Sequence, residues 1–226
     1  MKKYTITFLL AFFAQVVFAQ NVFLKKVEKT NDNKDKFFYQ INPQTESADY
    51  LGEIEVQGYR KEDVEIFNQI YKKAKEIGAN SFSIKPIQSV DGSVQKFNPS
   101  NYFINLYYLP KDQFPLQDNS LYLFASAAKA QKISINSKNY TLQPRTYIHL
   151  NLASGEIYTI STKNLLGSTI KVKNEKSQSN QYFQISSLKM GGNNQNDGTL
   201  HLKSGDIMGL ERSYAEFLRL IYEKSK

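Results

Sequence analysis

Apolar and polar residues alternate most cleanly from Leu51 to Tyr59 (LGEIEVQGY), with Ile54 and Val56 on one side and Glu53, Glu55 and Gln57 on the other. A repeat of two marks a half-buried strand. The spacing then changes. Phe67, Ile70, Ala74 and Ile77 recur at intervals of three and four, which lines one stripe of a helix capped at Glu62 or Asp63. Acidic Glu62, Asp63 and Glu65 open this helix, and Lys72, Lys73 and Lys75 lie towards its end, as the helix dipole favours. Gly78 can adopt the left-handed conformation that stops it. Ser81 to Ile87 reads as the next strand, with Phe82 and Ile84 inward. Strand, helix and strand make a crossover unit, so the two strands are expected to run parallel if they share a sheet. After a turn at Asp91-Gly92, Asn101 to Leu109 (NYFINLYYL) forms a further aromatic strand.

Pro110 and Pro115 bracket a polar passage that reads as a boundary. Beyond it come short strand patterns at Ser120–Ala125, Gln131–Asn136, Arg145–Leu152, Glu156–Thr162, Ser168–Lys173, Gln181–Ser187 and Thr199–Lys203. Turn residues such as Asn136-Ser137-Lys138-Asn139 and Ser154-Gly155 separate them, which predicts an antiparallel sandwich. Met208 to Lys226 closes the chain as an amphipathic helix with Tyr214, Phe217, Leu218 and Ile221 on its apolar face. The expected class is α+β: an N-terminal βαβ-containing α/β module over 47–112, then an antiparallel β-sandwich with a C-terminal helix over 118–226. Residues 20–46, polar except around Phe37, Phe38, Tyr39 and Ile41, read as a tether with one strand.

The first residues change the picture of where the protein acts. Lys2 and Lys3 precede an apolar run from Ile6 to Ala19, with small Val17 and Ala19 before Gln20. This is a signal-peptide pattern over 1–19, too short to span a bilayer comfortably. The expectation is an exported protein, periplasmic or secreted, with no membrane span after leader removal. Without Lys2 and Lys3 the formal charge of +8 becomes +6. Such a balance favours an anionic counterpart, and export makes nucleic acid an unsuitable one. The partner expected is an unknown envelope protein or an anionic or carbohydrate envelope component.

The chain has no cysteine and no tryptophan, but 15 tyrosines and 15 phenylalanines among its 226 residues. Disulfide staples, thiol catalysis and iron–sulfur chemistry are thereby excluded, and aromatic burial becomes the main source of stability. Leu51-Gly52-Glu53 opening a strand, a helix carrying Ala74, and Gly78-Ala79-Asn80 entering the next strand resemble the small envelope modules of the Rcs stress-sensor lipoprotein and YbjQ-like proteins. The resemblance covers roughly 51–109 and implies an envelope α/β module. That sensor's disulfides and lipid anchor have no counterpart in a chain without cysteine. Ile133 to Ile160, with turns at Asn136 and Gly155 and Leu142-Gln143-Pro144-Arg145 between them, resembles PEGA-type surface modules.

Few residues offer chemistry. His149 is expected to face outward with Arg145, Tyr147 and Asn151, opposite the inward set Thr146, Ile148, Leu150 and Leu152. His201 likewise faces away from Leu200 and Leu202, and no G-x-S-x-G elbow supplies a serine nucleophile. Gly191 to Gly198 (GGNNQNDG) is polar enough for a calcium loop but lacks the closing glutamate, with Ser204 in its place. Glu53 and Glu55 project from one strand face about 7 Å apart, near enough for a glycosidase pair, but share one environment and so one acidity. No cofactor or metal is expected. Tyr102, Tyr107, Tyr108 and Tyr122, near the boundary between modules, remain as possible ligand contacts, since tyrosine offers sugars or peptides a flat face with a polar tip. A closed outer-membrane barrel is disfavoured by the helical ending. The reading is a non-enzymatic envelope protein acting by interaction or scaffolding, with a binding module for anionic or carbohydrate material, and a hydrolase of unrecognised site, as alternatives.

Overall fold

The computed structural model describes residues 21–58, 62–86, 97–162, 167–174, 179–186, 203–204 and 206–225. The leader, the Asp91-Gly92 turn, the Gly191 to Gly198 loop and His201 lie outside them. The protein is a mixed α+β fold whose strands form sheets of five, four and six, mostly antiparallel.

The first sheet comprises β1 (Asn21–Val27), β2 (Tyr39–Gln40), β3 (Asp49–Gln57), β4 (Ser81–Lys85) and β5 (Asn101–Tyr108), in the order β1-β3-β5-β4-β2. β3 and β4 both pair antiparallel with β5, so they run parallel to each other with β5 inserted between them. Helix α1 (Asp63–Glu76) connects them. It starts at the expected cap, though Glu62 makes no side-chain capping bond, and buries Ile66 together with the expected stripe Phe67, Ile70 and Ala74. Gly78 sits at φ +79°, and a Cβ there would lie 1.8 Å from the carbonyl oxygen of Asn31, so both conformation and space demand glycine. The segment 20–46 is no simple tether, since β1 and β2 form the two edges of this sheet. Its polar sequence hid β1, whose Lys25 and Lys26 sit on an open edge as charges commonly do.

The second half folds as two facing sheets. β7 (Gln131–Ile135), β8 (Lys138–Leu142), β10 (Ile157–Thr162) and β11 (Thr169–Lys173) form the four-stranded sheet, ordered β11-β10-β7-β8. Its β7–β8 turn places Asn136 and Ser137 at φ 46° and 68°, the doubly left-handed geometry of a tight hairpin. β6 (Ser120–Phe124), β9 (Thr146–Asn151), β12 (Gln181–Ile185), β13 (Lys203–Ser204), β14 (Ile207–Gly209) and β15 (Glu223–Lys224) form the six-stranded sheet. Leu121, Leu123, Ile133, Ile135, Ile148, Ile160, Val172, Ile185 and Ile207 fill the space between the two sheets.

The opposite face of the six-stranded sheet is also covered. Tyr122, Phe124 and Tyr182 join one continuous core with Leu51, Ile54, Phe82 and Ile104 of the first sheet, with α1, and with Phe217, Leu218 and Ile221 of α2 (Arg212–Ile221). The C-terminal helix thus ties the halves together. Ser213 Oγ accepts from Phe38 N–H at 3.0 Å, and Glu216 accepts from Gln40 N–H at 2.7 Å, across about 175 residues of chain. β14 and β15 flank α2, so the expected helix over 208–226 is shorter and lies between two strands.

Candidate functional site

Three places on the molecule hold side chains of chemical interest. The first is the acidic pair. Glu53 and Glu55 of β3 are held by lysines of the same sheet, Glu53 by Lys85 at the end of β4, across β5, at 2.5 Å and Glu55 by Lys25 of the adjacent β1 at 2.8 Å. Hydrogen bonds from Lys25 and then Gln57 pull Glu55 below the usual carboxylate range. A glycosidase needs one carboxyl kept protonated, whereas Glu55 sits against an ammonium group that favours its ionised form. Lys75, near the end of α1, also shows an altered acidity. Burial, only partly offset by the charge of Asp35, lowers it to about 8. Its ammonium donates to the carbonyls of Phe37 and Ala79 at 2.6 and 2.8 Å, fixing the entry to β2 against the helix.

The second place is the row of rings on the six-stranded sheet. Cross-strand registry sets His149 beside Tyr122 and Tyr122 beside Tyr182. The His149 and Tyr122 rings stack at 4.6 Å and 7°, and those of Tyr122 and Tyr182 at 5.3 Å and 18°. His149 therefore does not stand free on an outer face as its alternation predicts. It is half-buried, because the second face of this sheet carries the core shared with α2. Burial, together with the charges of Lys224 and Arg219 and against that of Asp118, lowers its pKa. His149 Nε2 lies 2.8 Å from Ser120 Oγ, the contact a serine nucleophile would make with its base. Ser120, however, is fully buried and shares Asn151 as a second partner at 3.3 Å. A nucleophile that no substrate can reach has no catalytic use, so the pair serves to fix the ring row.

The four tyrosines singled out in the sequence are not gathered into a groove. Tyr102 and Tyr122 belong to the large core, Tyr107 packs with Ile41 and Leu109 on the other face of the first sheet, and half-buried Tyr108 packs against the core's margin. Tyr102 is 1% exposed and packs at a tilt against the Phe97 ring, and Tyr122 carries His149 and Tyr182 on its ring. Their flat faces are occupied by internal packing.

The third place carries no aromatic ring. On the outer face of the four-stranded sheet, registry aligns Thr169, Ser161, Ser134 and Asn139 in one row across all four strands, with Thr159 and Lys171 beside it and Lys132 opposite Thr141. An open depression of about 440 Å³ is lined by Ser134, Asn136, Ser137, Thr159 and Ser161. Asn136 Oδ1 accepts from Thr159 N–H at 2.8 Å, and Ser161 and Thr169 share a hydroxyl contact at 2.8 Å, so the floor is pre-ordered. The four strands contain Lys132, Lys138, Lys171 and Lys173 and no aspartate or glutamate. Lys138, Lys171 and Lys173 stand on the two edge strands, where they also oppose edge-to-edge pairing. The hydroxyl row could be read from the alternation of β10 and β11, but the depression depends on the Asn136-Ser137 turn and on strand order, which no local pattern encodes.

Among the described residues no group of three or more histidine, cysteine, aspartate or glutamate side chains could hold a metal ion, and no helix is long and apolar enough to cross a membrane. No family model, curated protein or solved structure matches the chain.

Proposed function

We propose that this is an exported, non-enzymatic protein of the cell envelope that binds an anionic, hydroxyl-bearing polymer along the outer face of its four-stranded sheet. The observation that carries the reading is the composition of that face: serine, threonine and asparagine across four strands, lysines around them, one exposed isoleucine, Ile157, at its margin, and no carboxylate within the four strands. Hydroxyls and amides offer donors and acceptors that match a glycan's own hydroxyls, and lysines supply a field that attracts negative charge without demanding one geometry. The leader pattern and the absence of cysteine support export of a protein that folds without disulfides.

The test is retention of the folded protein on an acidic polysaccharide, polygalacturonate, against neutral dextran. Saturable binding to the acidic polymer that weakens with added salt is expected. Lys132→Gln, Lys171→Gln and Lys173→Gln together should weaken it by about tenfold, each exposed charge contributing a few tenths of a kcal/mol to about 1 kcal/mol. Equal retention by the triple variant and the parent would remove this face from the reading. Absence of binding to either polymer would leave the scaffold role, in which the same face meets a protein.

A further inference from the structure

Three arginines stand among the described residues, and two of them have carboxylate partners. Arg145 Nη1 meets Asp63 at 2.9 Å, and Arg212 Nε meets Glu216 at 2.7 Å. Arg219, on the last turn of α2, is different. Its guanidinium lies 4.6 Å over the ring of Tyr122, and among the described residues its buried Nε has no hydrogen-bond partner and no carboxylate lies within ion-pair distance. A guanidinium partly withdrawn from water loses hydration that the ring quadrupole repays only in part, so buried cations are normally paired. The two paired arginines of the same core show that the chain supplies a carboxylate where structure alone requires one.

The surroundings of Arg219 are those of an anion receptor. His149 stacks on the same Tyr122 ring, with Nε2 engaged by Ser120. Lys224 is placed by parallel registry beside Tyr147, two positions before His149 on β9, and is exposed. The charges of both Lys224 and Arg219 are felt at the imidazole. The groups facing His149 are then Ser120 and Tyr122 from β6, Tyr147 from β9, Arg219 from α2, Lys224 from β15, and Asp118 on the approach to β6. Asp118 is exposed and supplies the only negative charge among these groups.

We propose that Arg219, Lys224 and His149 form a receptor for a phosphate group, at the end of α2 and apart from the lysine-flanked sheet face. Arginine matches a phosphate's paired oxygens in plane, lysine adds a point charge, and a histidine whose protonation is opposed by burial and by the neighbouring positive charges takes up a proton more readily once an anion enters. The phosphate could arrive free, on a small ester or on a lipid headgroup, and these sources share the chemistry that the three side chains read.

The experiment follows the His149 imidazole by NMR in the folded chain, assigned with a His201→Gln variant, while inorganic phosphate, glycerol 3-phosphate or vesicles containing phosphatidylglycerol are added. A saturable shift of His149 with a rise in its pKa is expected for at least one of the three, and the arm that gives the tightest binding identifies the source. Arg219→Gln should weaken that binding at least tenfold, on the order of one charge-assisted bidentate pair. Lys224→Gln should weaken it about threefold, as an exposed charge does, and guards against misfolding of the arginine variant. Lys132→Gln, on the other sheet, should leave it unchanged, so the result stands or falls independently of the polymer reading. No saturable shift in any arm, or equal loss with Lys132→Gln, would overturn the receptor.

Discussion

Removing the Asp63 side chain should loosen the join between the two halves of the protein by an amount that the contacts allow to be worked out. The carboxylate is 4% exposed. Its Oδ1 accepts from Arg145 Nη1 at 2.9 Å and its Oδ2 from the Tyr222 hydroxyl at 2.9 Å, so one side chain at the start of α1 holds both the turn before β9 and the residue after α2. A hydrogen bond to a charged group is worth about 1.5–3 kcal/mol, and a buried hydroxyl left unsatisfied costs about 1–3 kcal/mol. Arg145 retains 27% exposure and can recover water, so the lower part of the range applies and Asp63→Ala should cost about 3 kcal/mol. For a chain of this size that is a fall of roughly 6–12 °C in Tm. Glu65, exposed in the same first turn, gives the control: Glu65→Ala loses only the dipole contribution of about 0.3–1 kcal/mol. The assay is urea and thermal unfolding of the parent, Asp63→Ala, Arg145→Gln and the double variant. A coupling energy of about 1–3 kcal/mol is expected from the cycle. If Asp63→Ala falls no further than Glu65→Ala, or the coupling is zero within error, the join does not depend on this carboxylate and the reasoning fails.

Phe217, 1% exposed and 5.5 Å from the Phe67 ring, should cost about 3–5 kcal/mol when replaced by alanine, and because its core is shared by both halves, calorimetry should show one lowered transition; a split into two would refute the continuity of that core. His149 carries a lowered pKa in the folded state, so as pH falls below about 6.5 the unfolded chain takes up the proton first and stability drops until the folded pKa is passed. His149→Phe, which preserves the ring stack on Tyr122, should flatten the dependence of the urea midpoint on pH between about 7 and 5 relative to the parent. An unchanged slope would show that this imidazole is not the group responsible.

What could be read from the chain depended on whether a segment's neighbours were close in sequence. The stripe of α1, the stop at Gly78 and the limits of β4, β5, β6, β7 and β9 follow from local periodicity, and the structure repeats them to within a few residues. The fully buried Asn80 shows where this ends. Read locally it belongs to a helix stop, yet its amide closes two bonds with the backbone of Leu109, 29 residues on. β8 was missed for a related reason: its residues KNYTL follow a two-residue turn so closely that a longer loop accounts for them equally well, until pairing with β7 decides the matter.

The reading of His149 turns on the same distinction and shows which signal was present. A sandwich sheet with one wet face should alternate, and Arg145 to Leu152 does so well enough to suggest that His149 faces water. The neighbouring β6 does not alternate. Ser120, Leu121, Tyr122, Leu123 and Phe124 are all buried, and in sequence they form an apolar run broken only by a serine. Continuous apolar runs belong to strands covered on both sides. A strand paired with β6 inherits its covering, so β9 had to place one of its faces against whatever covers Tyr122. Only α2, contributed by the last residues of the chain, brings Arg219 over that ring, and the alternation of β9 records nothing of it. The site therefore became visible through the pairing partner of the strand that carries the histidine, and through a helix some 70 residues further along the chain.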